Sequence, residues 1–170
     1  PGFNFPVIER SDNSETNYSN IINLTIKIIR NNNLKEDKIF CIPSDSNADK
    51  KLKEQIHNSI DSAKKIVSQY QNKIDKFHEI IIEFSNRSIT YEGNSLGITL
   101  TLALAEQFIN IYKSRTLLSI KDNIAITGNL DKNGEIFEFP DNIIKTKAEA
   151  VFFSPCDIFI VPKKNEACAE

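Results

Sequence analysis

Residues 96–112 read LGITLTLALAEQFINIY, and at helical spacing they are apolar almost all the way round. A helix lying on a surface shows one apolar stripe and one polar face, so this one is expected to be buried on most of its sides, with polar function confined to its start. At 170 residues and 19.3 kDa the chain is long enough to bury such a helix in one compact core, and short for two. Just ahead of it, residues 77–89 contain HEIIIEF, whose β-branched centre predicts a strand leading toward the helix.

The remaining segments supply partners. INLTIKIIR alternates apolar and polar residues as a half-buried strand does, NNNLKED supplies a turn, and KIFCIP, closed by Pro43, reads as the second strand of a hairpin. From Ala48 to Gln71 the residues Leu52, Ile56, Ile60, Ala63, Ile66, Val67 and Tyr70 recur every three or four positions, which predicts an amphipathic helix. NIAITGNL and GEIFEFP read as two strands joined at Asn133-Gly134, whose residue types suit a left-handed hairpin turn. A helix over 142–152 and a short strand, DIFIVP, complete the chain. The expected fold is α/β in the mixed α+β sense, with hairpins and mixed sheets carrying packed helices. Residues 1–20, with the polar run SDNSETNYSN, are expected to form a flexible N-terminal segment, and residues 21–170 the folded domain.

Composition narrows the function classes. With 21 basic and 23 acidic side chains the formal net charge is -2, so no bulk positive field attracts nucleic acid. No apolar run reaches the ~18 residues of a membrane span, and PGFNFPVIER lacks the pattern of a signal peptide. The three cysteines, Cys41, Cys156 and Cys168, are odd in number and far apart, which fits a reducing, cytoplasmic setting better than a disulfide framework and makes no metal pattern. Cys41 reads as a small core residue rather than a nucleophile. The absent initiator Met and the EACAE end fit a piece of a longer polypeptide.

The chemistry concentrates at YEGNSLG, residues 91–97, where Gly93, Ser95 and Gly97 match G-x-S-x-G. That pattern places a nucleophilic serine on a strand-to-helix turn, although two glycines about a serine also serve a tight turn with no chemistry. A serine hydroxyl needs a base. The two histidines, His57 and His78, both precede Ser95, so the histidine that follows the serine in α/β-hydrolases is missing.

Lysine is the remaining base, provided burial among apolar groups brings down its pKa from roughly 10.4. In NIIKTKAEAVFF, Lys147 shares a stripe with Ile143, Ile144, Ala150 and Val151, whereas Lys145 is turned by about 200° to the wet side. Lys147 is thus either a buried base or a lysine whose stem packs while its head reaches water.

Together these pieces resemble the proteolytic domain of Lon proteases, a Ser-Lys dyad family, over most of residues 21–162. E-G-N-S-L-G ahead of a long apolar helix is similar to the family's D-G-P-S-A-G, A-I-T-G-N to its M-T-G-E, and I-K-T-K-A-E-A-V to its L-K-E-K helix. The resemblance implies a serine endopeptidase with Ser95 as nucleophile and Lys147 as base. Thr127 would aim the amine, and Glu92, Gly93, Asn94 and Leu96 would frame the serine.

Asn94, Leu96 and Asn129 depart from the family's Pro, Ala and Glu. The resemblance further implies unfolded protein or peptide substrates and a homo-oligomer, hexameric in the family. It implies no cofactor in this chain, because no Walker loop is present and ATP would enter only through a separate ATPase module in cis or trans. Two other readings stand beside it: a non-catalytic Lon-like domain serving as an assembly or binding platform, and a small-substrate esterase, which the missing downstream histidine disfavours.

Overall fold

The computed structural model of the chain describes residues 2–9, 18–43, 50–70, 74, 77–86, 95–112 and 118–169. Its centre is a six-stranded mixed sheet built from β1 (Phe3–Glu9), β2 (Tyr18–Arg30), β3 (Lys38–Ile42), β4 (His78–Phe84), β5 (Ile124–Ile126) and β8 (Ile158–Ile160), in the order β3-β4-β2-β1-β5-β8. A separate two-stranded unit pairs β6 (Asn129–Leu130) with β7 (Ile136–Phe137). The helices are α1 (Lys50–Tyr70), α2 (Gly97–Tyr112), α3 (Asp141–Phe152) and the short α4 (Glu166–Ala169), which follows a 3-10 turn at Lys163–Asn165. This is the mixed α/β architecture expected from the alternating patterns. Among the described residues no helix is long and apolar enough to cross a membrane.

Strand parity sorts the helices onto two faces, because successive side chains of a strand point to opposite sides. Ile22, Leu24 and Ile26 of β2, Phe3 and Phe5 of β1, and Ile80, Ile82 and Phe84 of β4 enter one core with α1 and α2. Ile126 of β5 joins it, while its neighbour Ala125 packs with Val151 of α3, Cys156, Ile21 and Phe159. Helix α2 therefore lies against one face and α3 against the other. As its composition demands, α2 is buried from Gly97 through Ile109 on most positions. Of the α1 stripe, Leu52, Ile56, Ile60, Ala63 and Val67 are buried, Ile66 is half-buried and Tyr70 is exposed.

Three expectations are corrected. Folded structure does not begin near Ile21: Phe3–Glu9 is a strand paired antiparallel along β2 from Phe3↔Leu24 to Glu9↔Tyr18, and Phe3 and Phe5 are fully buried. Residues 10–17 of the expected flexible segment lie outside the described residues. Second, β2 and β3 are not a hairpin, because β4 inserts between them, antiparallel to β2 and parallel to β3. The β4 strand buries alternate residues and satisfies both of its edges this way. Third, NIAITGNL is two strands: the chain leaves the large sheet after Ile126 and enters the small hairpin at Asn129. The β6–β7 turn is as expected, with Gly134 at φ +88° and the Asp131 carboxylate accepting from the N–H groups of Asn133 and Glu135, both at 2.8 Å.

Candidate active site

Ser95 stands half-buried in the turn that opens α2. Its carbonyl accepts from Gly128 N–H at 3.0 Å and from the Thr127 hydroxyl at 3.3 Å. Two more bonds tie the first turn of α2 to the same segment: Ile98 N–H donates to Gly128 O at 3.2 Å, and Thr99 Oγ1 donates to Ile126 O at 2.8 Å. From the other side, Ser59 of α1 donates to the Gly97 carbonyl at 3.1 Å and Thr101 does so at 2.7 Å. A Cβ on Gly97 would strike the Gln55 side chain and sit 2.7 Å from the Leu130 backbone nitrogen, so this glycine is what lets α2 approach β6 so closely. Gln55 holds that contact with its amide, donating to Leu130 O at 2.6 Å and accepting from Leu130 N–H at 3.4 Å.

Lys147 arrives from the opposite face of the sheet. It sits on the stripe of α3 that includes Ile144 and Val151 and is 3% exposed, whereas Lys145 is exposed. Thr127 shares parity with Ala125, the β5 residue on the α3 side, and Lys147 Nζ donates to Thr127 Oγ1 at 2.9 Å. Among the described residues this is the hydrogen bond the amine makes; none joins it to Ser95 Oγ. Burial pulls the Lys147 pKa down from 10.5 to about 8, because the ammonium form loses its hydration there. A large share of the amine is therefore neutral near pH 8. The nitrogen also lies 5.5 Å from the centre of the Phe139 ring, and Phe139 is held by both ends of the buried Asn165 amide, each at 2.9 Å.

Two hydrogen bonds thus connect Lys147 to Ser95 through one threonine hydroxyl, which accepts from the amine and donates to the serine carbonyl. Ser95, Leu96, Thr127 and Lys147 are brought to one locus, with Leu96 buried as an anchor of the turn. Glu92, Gly93 and Asn94 lie outside the described residues. Neither histidine reaches the serine. His57 is exposed, two residues from both Gln55 and Ser59 and so turned away from the α2 start. His78 is fully buried, and its ring bonds Asp37 at 3.3 Å and Tyr112 at 2.9 Å. Tyr112 ends α2, about 24 Å of helix from its start.

Spacing alone did not single out Gln55, Ser59, Thr99, Phe139 or Asn165. For Gln55, Ser59 and Thr99 the available signal was a polar residue at a buried stripe position of α1 or α2; Phe139 and Asn165 carried none. Compared with known proteins, the sequence matches no family model and no curated protein.

Proposed function

We propose that this chain is a serine endopeptidase of Lon type in which Ser95 and Lys147 form the catalytic pair. The observation that carries the proposal is a dry lysine amine, with its pKa lowered to about 8, hydrogen-bonded to the same threonine hydroxyl that bonds the Ser95 carbonyl. In the first step a side-chain rotation brings Nζ to Ser95 Oγ. The neutral amine takes the hydroxyl proton as Oγ bonds to the peptide carbonyl carbon. The tetrahedral adduct collapses, the C–N bond breaks, and the ammonium returns that proton to the leaving amine. Water then adds to the ester with Lys147 again as base, and breakage of the acyl–Oγ bond releases the carboxylate product and restores the serine.

Backbone N–H groups at the helix start stabilise the oxyanion, an effect typically worth ~3 kcal/mol per donor. Those ahead of Ile98 are the candidates, since Ile98 N–H already serves Gly128. By the same resemblance, substrates are unfolded proteins or peptides, the chain assembles into a homo-oligomer, and any use of ATP belongs to a separate module.

Acylation by a fluorophosphonate probe and cleavage of an unfolded protein test this reading together. Wild type should label and cleave, Ser95→Ala should do neither, Lys147→Ala should lose activity and Lys145→Ala should keep most of it. Equal inertness of wild type and Ser95→Ala would overturn the proposal and favour a non-catalytic platform. That second reading draws on Phe152 and Phe153, which stand 81% and 85% exposed as an edge-to-face pair at the end of α3.

A further inference from the structure

Residues 138–140 belong to no helix or strand, yet they carry the chain from β7 into α3 and set Phe139 beside Lys147. Such a segment has no ladder to fix its backbone, so its N–H and C=O groups need partners from elsewhere. For Phe139 both come from one side chain: its N–H donates to Asn165 Oδ1 at 2.9 Å, and Asn165 Nδ2 donates to its C=O at 2.9 Å. An amide accepts and donates side by side, which is what the two backbone groups of one residue require. Asn165 is fully buried and is itself fixed in the 3-10 turn, its own N–H donating to Pro162 O at 2.8 Å.

The ring held by this pairing lies with its centre 5.5 Å from Lys147 Nζ. Phe139 is half-buried while Lys147 is 3% exposed, so the phenylalanine stands at the boundary between the amine and solvent. A ring there acts on the amine in two opposite ways. Its face attracts a cation, which favours the ammonium, and its bulk excludes water, which disfavours it. The amine's pKa is lowered, with burial as the cause, so exclusion of water outweighs the attraction. The charged residues next in sequence to the pair, Glu138 and Lys164, bond each other at the surface at 3.1 Å.

We propose that Asn165 is a positioning residue for Lys147, fixing Phe139 as the cover that keeps water from the amine. Its place in catalysis rests on the peptidase reading, but its effect on the amine does not. In that reading the base must be neutral when Ser95 gives up its proton. A cover that drifts lets water reach the amine and returns it to the ammonium form. Through Asn165 the turn after β8 therefore helps to set the state of a base carried on α3.

The test is a pH titration of the full chain with its lysines labelled at Cε, followed by carbon NMR, the Lys147 signal being assigned by its loss in Lys147→Met. Phe139→Ala should raise the Lys147 midpoint by about one pH unit, and Phe139→Leu, which keeps bulk without the ring, should leave it near the wild-type value. Asn165→Ala should raise it by a similar amount alone and add little in the Phe139→Ala background, because it acts through that ring. Lys164→Gln, which breaks only the exposed ion pair, should leave it unchanged. In peptide cleavage the acid limb of kcat/KM should move up with the midpoint. Asn165→Ala should then lose about tenfold at pH 7 and recover by about pH 10 with KM little changed, whereas a purely structural loss would be the same at every pH. Phe139→Ala lies at a half-buried position, so its titration decides the inference even if Asn165→Ala does not fold. An unchanged or lowered midpoint in Phe139→Ala or in folded Asn165→Ala, or additive effects of the two, would overturn the inference. A raised midpoint in a chain whose wild type cleaves nothing keeps the cover and removes the peptidase reading.

Discussion

Lys147 Nζ and Thr127 Oγ1 lie 2.9 Å apart, joined from α3 to the end of β5 across a site with almost no access to water. The same hydroxyl donates to Ser95 O, so Thr127 is the hinge on which amine and serine share a frame. Replacing it by Val keeps the shape and deletes both bonds. On the proposed function, peptidase activity should fall by about 10- to 100-fold with KM little changed, and Thr127→Ser should recover most of it. A loss of the same size in the Ser variant would mean that the methyl group, and not the hydroxyl, matters.

The buried amine also sets a pH dependence of stability. Unfolded, Lys147 keeps its proton up to about 10.5; folded, it gives the proton up near 8. Between those values the unfolded chain holds more protons, so stability rises with pH in that window. Below pH 8 the buried charge costs about 3 kcal/mol. Lys147→Met, which loses one hydrogen bond, should therefore be more stable than wild type by about 1–3 kcal/mol at pH 7. That gain should shrink between pH 8 and 10.5 in urea titrations. A difference that does not change with pH would contradict a burial origin.

Gly97 and Gly128 differ in what surrounds them. A Cβ on Gly97 meets the Leu130 backbone, which cannot move without dislodging β6, whereas one on Gly128 meets the end of the Ile98 side chain. Gly97→Ala should cost about 2–4 kcal/mol, and Gly128→Ala clearly less. Thermal melts of the two variants compare them directly, and an equal cost would show that Ile98 has no room to rotate.

At the other end of α2, Asp37 answers for acid stability. Burial works to raise its pKa, but hydrogen bonds from His78 and from Lys64 outweigh it and bring it to about 2. A depressed carboxyl stabilises the fold above its unfolded value of 3.8, and that contribution is lost as pH falls through about 2. Because Asp37 is partly exposed, its share is about 1 kcal/mol after solvent screening. Asp37→Asn should flatten the loss of stability between pH 4 and 2 while lowering stability at pH 7. An unchanged acid limb would place that loss in other carboxylates.

Helix positions, the Asn133-Gly134 turn and the place of Lys147 on the apolar stripe of α3 were legible in the sequence, because each depends on residues a few places apart; that its amine is buried rather than reaching water was not. The periodicity of Ile143, Ile144, Ala150 and Val151 puts the stem of Lys147 on the packed face, and a tertiary contact, that with Thr127, keeps its amine there. Strand partners were not legible in the same way. Phe3, Phe5 and Val7 alternate as a strand does, but the short run is interrupted by Pro6, and only its fit along β2 makes it one. Likewise β2 and β3 are near in sequence, yet β4, which arrives after the whole of α1, separates them.

By itself the sequence determined the three long helices, the strands β2, β3 and β4 and most of the residues that α1 and α3 turn inward, since local spacing and side-chain chemistry decide those. Only the tertiary structure decided that Thr127 lies between Lys147 and Ser95 and that β4 separates β2 from β3. Contacts between distant segments arise from how the sheet and helices close on one another, and no short-range pattern encodes that closure.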